Sequence, residues 1–351
     1  KVLKFIDLAS IHFFAGDIGE GSVEGTRPDL PTEFKTKKGM AHMKIVITLG
    51  GNALLRRGQS MTAENQIENV RKACADIKEV AAHHQLVLGH GNGPQVGLLA
   101  LQNEAYGKTV EPYPFDILGA ESQAMVGYLF AQELRNALPR SNVACVITQS
   151  IVSSDDPAFK NPTKFIGPVY DKETAEKLAD EKGWVVRADG KYYRRVVPSP
   201  RPVRIVEIES IRRLVDDGVM VISGGGGGVP VVSDEEGHLK GVEAVIDKDY
   251  CCSILATELD ADYLVIATDV DGVYVNWGTP DQKQIRRASP AHLREMGFAA
   301  GSMGPKVTAA CEFVEKTGNT AAIGALENIR GIIDSRSGTL ISNDVKEVEY
   351  Y

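Results

Sequence analysis

The chain has 351 residues, 43% hydrophobic and 25% charged, the composition of a soluble globular protein with room for two domains or one large two-lobed unit. A net charge of −8 argues against general binding to nucleic acid or to an anionic membrane surface, while leaving room for a small anionic ligand in a locally basic pocket. No apolar run approaches the roughly 18 residues of a membrane span, and five cysteines (Cys74, Cys145, Cys251, Cys252, Cys311) without CxxC spacing read as mostly buried, reduced thiols of a cytoplasmic protein.

Residues 1–42 show no sustained period and end in a charged, Gly/Pro-containing stretch, so we read them as a leader or an added extension. From Met43 onward, apolar runs alternate with helical patterns. KIVITLG (44–50) is a buried strand, and Ile67, Val70, Cys74, Ile77 and Ala81 then recur at helical spacing behind Thr62 as N-cap. LVLGH (86–90) is the next strand, followed by a glycine loop that opens a helix, and 116–138 is a long, mostly apolar helix. VACVIT (143–148), VMVIS (219–223), DYLVIAT (262–268) and TAAIG (320–324) read as further strands. The region from about 153 to 203 is polar and proline-rich. It holds a hairpin (WVVRA, an Asp189-Gly190 turn, KYYRRVV) and ends in PSPRP, which suggests a small protruding subdomain inserted in the first lobe. The alternation predicts an α/β fold, a three-layer sandwich around a mainly parallel sheet with two lobes, 43–222 and 223–351.

Glycine-rich stretches recur at equivalent places: Gly50-Gly51 after the first strand, Gly89, Gly91 and Gly93 at the second, Gly224 to Gly228 after VMVIS, and GSMGPK (301–306) before a late helix. In parallel α/β sheets ligands bind beyond the carboxyl ends of the strands, where successive backbone N–H groups form anion-binding concavities. The five-glycine run admits two readings, a flexible linker or a loop that approaches a ligand closely. Its β-branched flanks favour the second, a main chain wrapped around phosphate. The familiar nucleotide signatures are missing: AYGKT (105–109) lacks the first Walker glycine, GNGPQVG (91–97) is mis-spaced for a dinucleotide loop, and neither HRD nor DFG occurs. None of the seven histidines has metal-ligand spacing, and His83-His84 reads as charge at a helix C-terminus.

Three lysines stand apart from the solvated majority. Lys306 follows Pro305 at the start of a helix, where a cation opposes the dipole unless an anion is bound nearby. Lys248 lies between Asp247 and Asp249 at another strand-to-helix entry, and Lys164 sits in the protruding region, from which it could swing over a site. Lysines facing glycine loops point to phosphoryl transfer by charge clamping.

From Met43 to the C-terminus, KIVITLGGNAL, GNGPQVG, AESQAMVGY, NPTKFIGP, PSPRP, GGGGGVPV, EAVIDKD and GSMGPKV resemble the carbamate kinases, of the amino-acid-kinase fold. Ala124, where a glycine is common, is a slight departure. The resemblance implies the reaction ATP + carbamate ⇌ ADP + carbamoyl phosphate, ATP-forming in arginine catabolism, by a cytoplasmic homodimer. It implies Lys164, Lys248 and Lys306 as catalytic lysines, with Asp249 organising them. Gly50, Gly51, Asn52, Gly91, Asn92, Gly93, Gly224 and Gly225 would then bind the substrate and the phosphoryl group. Gly226, Asp269, Tyr274 and Met303 would join Lys248 and Lys306 around the nucleotide. Mg2+ would ride on the nucleotide phosphates with no dedicated protein ligands, 43–222 would bind carbamate or carbamoyl phosphate, and 223–351 would bind the nucleotide. A kinase of another small carboxylate, such as acetylglutamate, and a non-catalytic nucleotide sensor are the alternatives.

Overall fold

The computed structural model describes residues 42–56, 58–298 and 303–351; 1–41 of the expected leader, and Gly301 and Ser302 of GSMGPK, lie outside the described residues. Strand β1 (Lys44–Leu49) is buried on both faces, as the centre of a parallel sheet requires. Helix α1 (Ala63–Ala81) starts at Thr62, whose hydroxyl accepts the Asn65 N–H at 3.2 Å. Its stripe of Val70, Cys74 and Ile77 packs inward. After it, His84 is not the helix-terminal charge the sequence suggests. It is buried, its Nδ1 lies 3.3 Å from the Met43 N–H, and burial lowers its pKa.

β2 (Gln85–His90) pairs in parallel with β1, and α2 (Gly93–Tyr106) begins with Pro94 in its first turn. α3 (Phe115–Ala137) buries Leu118, Val126, Phe130 and Leu134 but leaves Ile117, Met125 and Tyr128 exposed. VACVIT is not one strand. β3 (Val143–Cys145) stays in the main sheet, and β4 (Gln149–Val152) joins another, because Gln123 of α3 takes both backbone groups of Thr148 (3.0 and 3.1 Å).

β5 (Lys164–Tyr170), α4 (Lys172–Lys182), β6 (Val185–Asp189) and β7 (Tyr192–Val197) build the protruding subdomain, a separate sheet ordered β5-β7-β6. The β6–β7 hairpin turns at Gly190, φ +62°. β8 (Pro202–Ile205) returns antiparallel to β4, so the subdomain sheet is narrower than 153–203. Arg201 of PSPRP anchors that return: its guanidinium lies 3.4 Å from the centre of the Tyr250 ring and bonds Glu312 at 2.5 and 2.6 Å.

α5 (Ile208–Asp216) and β9 (Met220–Ile222) precede the glycine run, after which β10 (Val229–Ser233) and β11 (Leu239–Gly241) complete a second sheet, β11-β10-β4-β8. The chain closes with α6 (Lys248–Glu258), β12 (Tyr263–Thr268), β13 (Val273–Val275), β14 (Lys283–Ala288), α7 (Pro290–Met296), α8 (Met303–Thr317), β15 (Thr320–Ala325), α9 (Ile329–Ile333), β16 (Thr339–Ile341) and β17 (Glu349–Tyr350). The main sheet runs β13-β14-β16-β15-β12-β1-β2-β9-β3, with β17 on β14. It is parallel from β15 to β3 and antiparallel where β15 meets β16 and where β14 meets β13 and β17.

Alternation along β1 makes the three layers. Ile45, Ile47 and Leu49 pack with α1 and α3, whereas Val46 packs with Cys251 and Leu255 of α6 and Phe313 of α8. The same alternation aims Thr48 at α6. All five cysteines are free, four of them buried and Cys145 exposed. Among the described residues no helix is long and apolar enough to cross a membrane.

Candidate active site

Because β1, β2 and β12 run parallel, their carboxyl ends share one edge, and a cavity of about 590 Å3 opens there. Gly50 and Gly51 after β1, Gly91, Asn92 and Gly93 after β2, and Thr268 and Asp269 at the end of β12 line it, together with Gly226. Gly51 and Gly93 are informative. Neither has positive φ, and an added Cβ would meet nothing within 4 Å, so neither backbone geometry nor internal packing asks for glycine at either position. Open space beside both residues leaves room for a ligand to come close to the backbone. Asn52 lies on the 3-10 turn Gly51–Ala53 beside this wall. Asn92 turns its side chain inward, donating from Nδ2 to Ser122 Oγ at 2.7 Å.

The five-glycine run mostly answers to the protein itself. Gly224, Gly226, Gly227 and Gly228 have positive φ, and a Cβ at Gly226 would lie 2.1 Å from Asn92 Nδ2. A Cβ at Gly225 would lie 2.5 Å from the ring of His90, itself stacked on Phe130 at 6.0 Å. Gly226 lines the cavity, whereas Gly224 and Gly225, expected at the phosphoryl group, are not among its lining residues. They stand behind the wall, where glycine lets two backbones close on buried side chains.

Lys164, Lys248 and Lys306 all converge on the cavity, from β5, the first residue of α6 and the first turn of α8. Asp249 organises two of them. Its carboxylate accepts Lys248 Nζ at 2.5 Å, Lys306 Nζ at 2.9 Å and Thr48 Oγ1 at 3.0 Å. Burial pushes this carboxyl up, but the two ammonium groups outweigh it and hold it well below the usual carboxylate range. Burial likewise acts to lower Lys248, and Asp249 and Asp247 reverse the direction to a raised pKa. Lys164 has a different partner, Asp247 Oδ2 at 2.7 Å. There too burial raises the carboxyl and Lys164 pulls it down, with a net lowering. His90, buried just before Gly91 and against Gly225, is kept neutral chiefly by burial, with its pKa lowered to about 4.

The far end of the cavity is apolar. Tyr274 and Met303, expected there, are joined by Trp277, Phe298 and Val270, which the sequence reading missed. Trp277 meets Tyr274 edge to face, ring centres 5.1 Å apart. An aromatic in the Gly/Pro loop NWGTPDQ was a usable signal. Asp247 was missed as well; its place just before a helix marks a cap, but nothing near it in the sequence reveals Lys164 as its partner. A cradle of open amides, a cluster of lysines and an apolar slot together suit a polyphosphate with an attached base.

The family model for the amino acid kinase family matches residues 43–324. The chain is similar to a carbamate kinase of Haemophilus influenzae, 55% identical over 310 residues that cover 88% of this chain and 100% of that protein. It is similar also to one of Pyrococcus horikoshii, 48% identical over 312 residues, 85% of this chain and 99% of that one. Among solved structures, carbamate kinase from Giardia lamblia bound to citric acid matches with a TM-score of 0.81 at 38% identity, over 86% of this chain and 99% of that one. The same protein bound to AMP-PNP matches with a TM-score of 0.79, also at 38% identity and over the same shares. This chain belongs to the amino acid kinase family and, within it, to the carbamate kinases, so it is a phosphotransferase.

Proposed function

We propose that the protein catalyses the reversible reaction ATP + carbamate ⇌ ADP + carbamoyl phosphate. The observation that carries this reading is the convergence of Lys164, Lys248 and Lys306 on one glycine-walled cavity. Carbamate already presents an anionic oxygen, so the reaction needs no general base. A site whose nearest histidine is buried and neutral suits it. What remains is positioning and charge neutralisation, which amides and lysines supply.

In this reading residues 43–222 supply most of the carbamate side and 223–351 the nucleotide side. The Gly51 and Gly93 amides hold the moving phosphoryl group, and Lys248 and Lys306 neutralise the nucleotide phosphates. Lys164 reaches the carbamate or carbamoyl phosphate from the subdomain, while the adenine lies against Tyr274, Trp277 and Met303. A Mg2+ ion would ride on the nucleotide phosphates, with Asp269 on the cavity wall as a carboxylate it could meet. When bound, such an ion neutralises phosphate charge.

The exposed Ile117, Met125 and Tyr128 on α3 support a homodimer built through this helix. Free thiols support a reducing compartment, the cytoplasm. We assign the protein to the ATP-forming direction, in arginine catabolism. The test is ATP formation from ADP and carbamoyl phosphate by purified protein, alongside ATP with acetylglutamate. Turnover with the first pair alone supports the assignment, and turnover with acetylglutamate alone overturns it.

A further inference from the structure

The three lysines are not held as one group. Asp249 engages Lys248 and Lys306 only, and Lys164 bonds Asp247. We propose that Asp247 is a positioning residue for phosphoryl transfer, fixing the Lys164 ammonium at the cavity wall and tying it to the Lys248–Lys306 pair. This rests on the carbamate kinase reading above.

The two oxygens of Asp247 have separate duties. Oδ1 accepts the backbone N–H of Asp249 at 2.9 Å, capping α6, and Oδ2 receives Lys164 Nζ at 2.7 Å. The cap fixes the carboxylate relative to Asp249, one residue beyond Lys248, so Lys164 is registered against the same helix start that presents the other two lysines. Lys164 needs such an anchor. It is a flexible side chain on a separate sheet, one-third exposed, and without a fixed partner its charge would be spread over many rotamers. An ammonium has three donors; one is spent on Asp247 and two remain for substrate oxygens. Positioning of this kind acts on the rate, because a misplaced charge stabilises the transition state poorly.

Asp247→Asn separates the two duties. Asparagine caps helices as well as aspartate does, but once its one oxygen caps α6 it turns an NH2 donor toward Lys164. We compare wild type, Asp247→Asn, Lys164→Met and the double variant as full-length proteins. The readouts are ATP formation from ADP and carbamoyl phosphate, ADP affinity by calorimetry, and thermal melting. Asp247→Asn is expected to lower kcat about ten- to a hundredfold with ADP affinity and melting close to wild type. In the Lys164→Met background the same change is expected to alter kcat by less than about threefold, since the group it acts through is gone. Equal losses in both backgrounds, unchanged kcat in Asp247→Asn, or melting together with loss of ADP binding would each overturn the proposal. A wild type that forms no ATP overturns the carbamate kinase reading itself, a distinct result.

Discussion

Replacing Gly51 and Gly225 by alanine separates glycine kept for a ligand from glycine kept for the fold. At Gly51 the new methyl meets no protein atom within 4 Å and φ is unrestrictive, so the folded state bears no clash. The unfolded chain loses freedom, and stability should stay level or rise by about 0.4–1 kcal/mol. In the proposed reading the same methyl would intrude on the space through which phosphate oxygens reach the amides. Losing one or two hydrogen bonds to a charged group costs roughly 1.5–3 kcal/mol each, or about ten- to a hundredfold or more in affinity for carbamoyl phosphate. At Gly225 the methyl lands 2.5 Å from the His90 ring and 3.1 Å from Gln123 Cγ, both buried. Overpacking of this kind costs about 1–3 kcal/mol of stability. Urea unfolding gives the first quantity, and steady-state kinetics with calorimetry give the second. A Gly51→Ala protein with wild-type kinetics, or one less stable than Gly225→Ala, would refute the distinction.

Lys164→Ala should cut turnover about a hundred- to a thousandfold, roughly 3–4 kcal/mol, with ADP affinity nearly intact, whereas Lys306→Ala should weaken both, as parallel kinetics and calorimetry would show. Asp249→Asn leaves Lys248 and Lys306 facing an uncharged amide and should destabilise the fold by about 3–5 kcal/mol, measured by urea unfolding. His90 is depressed from 6.5 to about 4 in the fold, so the unfolded chain binds the extra proton first as pH falls. Its contribution, full above pH 6.5, should fall by about 3 kcal/mol toward pH 4, and His90→Asn should flatten that part of the stability–pH curve. Light scattering should give twice the chain mass for wild type, and Met125→Glu on the exposed face of α3 should give the monomer.

The central strands were legible because a strand buried on both faces reads as a short apolar run rich in Val, Ile or Leu, and KIVITL, QLVLGH and YLVIAT are such runs. Their parallel order places their ends together, so the loops around Gly51 and Gly93 could be assigned to one edge before any coordinate. Where the fold depends on a side chain far along the sequence, local pattern was blind. VACVIT looks like one strand, but Gln123 of α3, together with Val229 and Gly224, takes the polar groups of Thr148, and the strand stops at Cys145. The glycine run was read as a phosphate cradle, yet most of it answers to Asn92, His90, Ile246 and Ser150, packing partners that become visible only once the layers are assembled. Lys248 and Lys306 were found by their odd positions near helix starts, and Lys164 by its place in the protruding region. Their division between Asp249 and Asp247 was not legible, because Lys164 and Asp247 are 83 residues apart.

The most direct test of the account is phosphorus NMR of the purified protein with ADP, Mg2+ and carbamoyl phosphate, run beside Lys164→Ala at the same concentration. The account predicts that the carbamoyl phosphate resonance is replaced by the γ-phosphate of ATP, one for one, with the conversion slowed in the variant. Release of free phosphate without ATP, or equal rates in the two proteins, would contradict it.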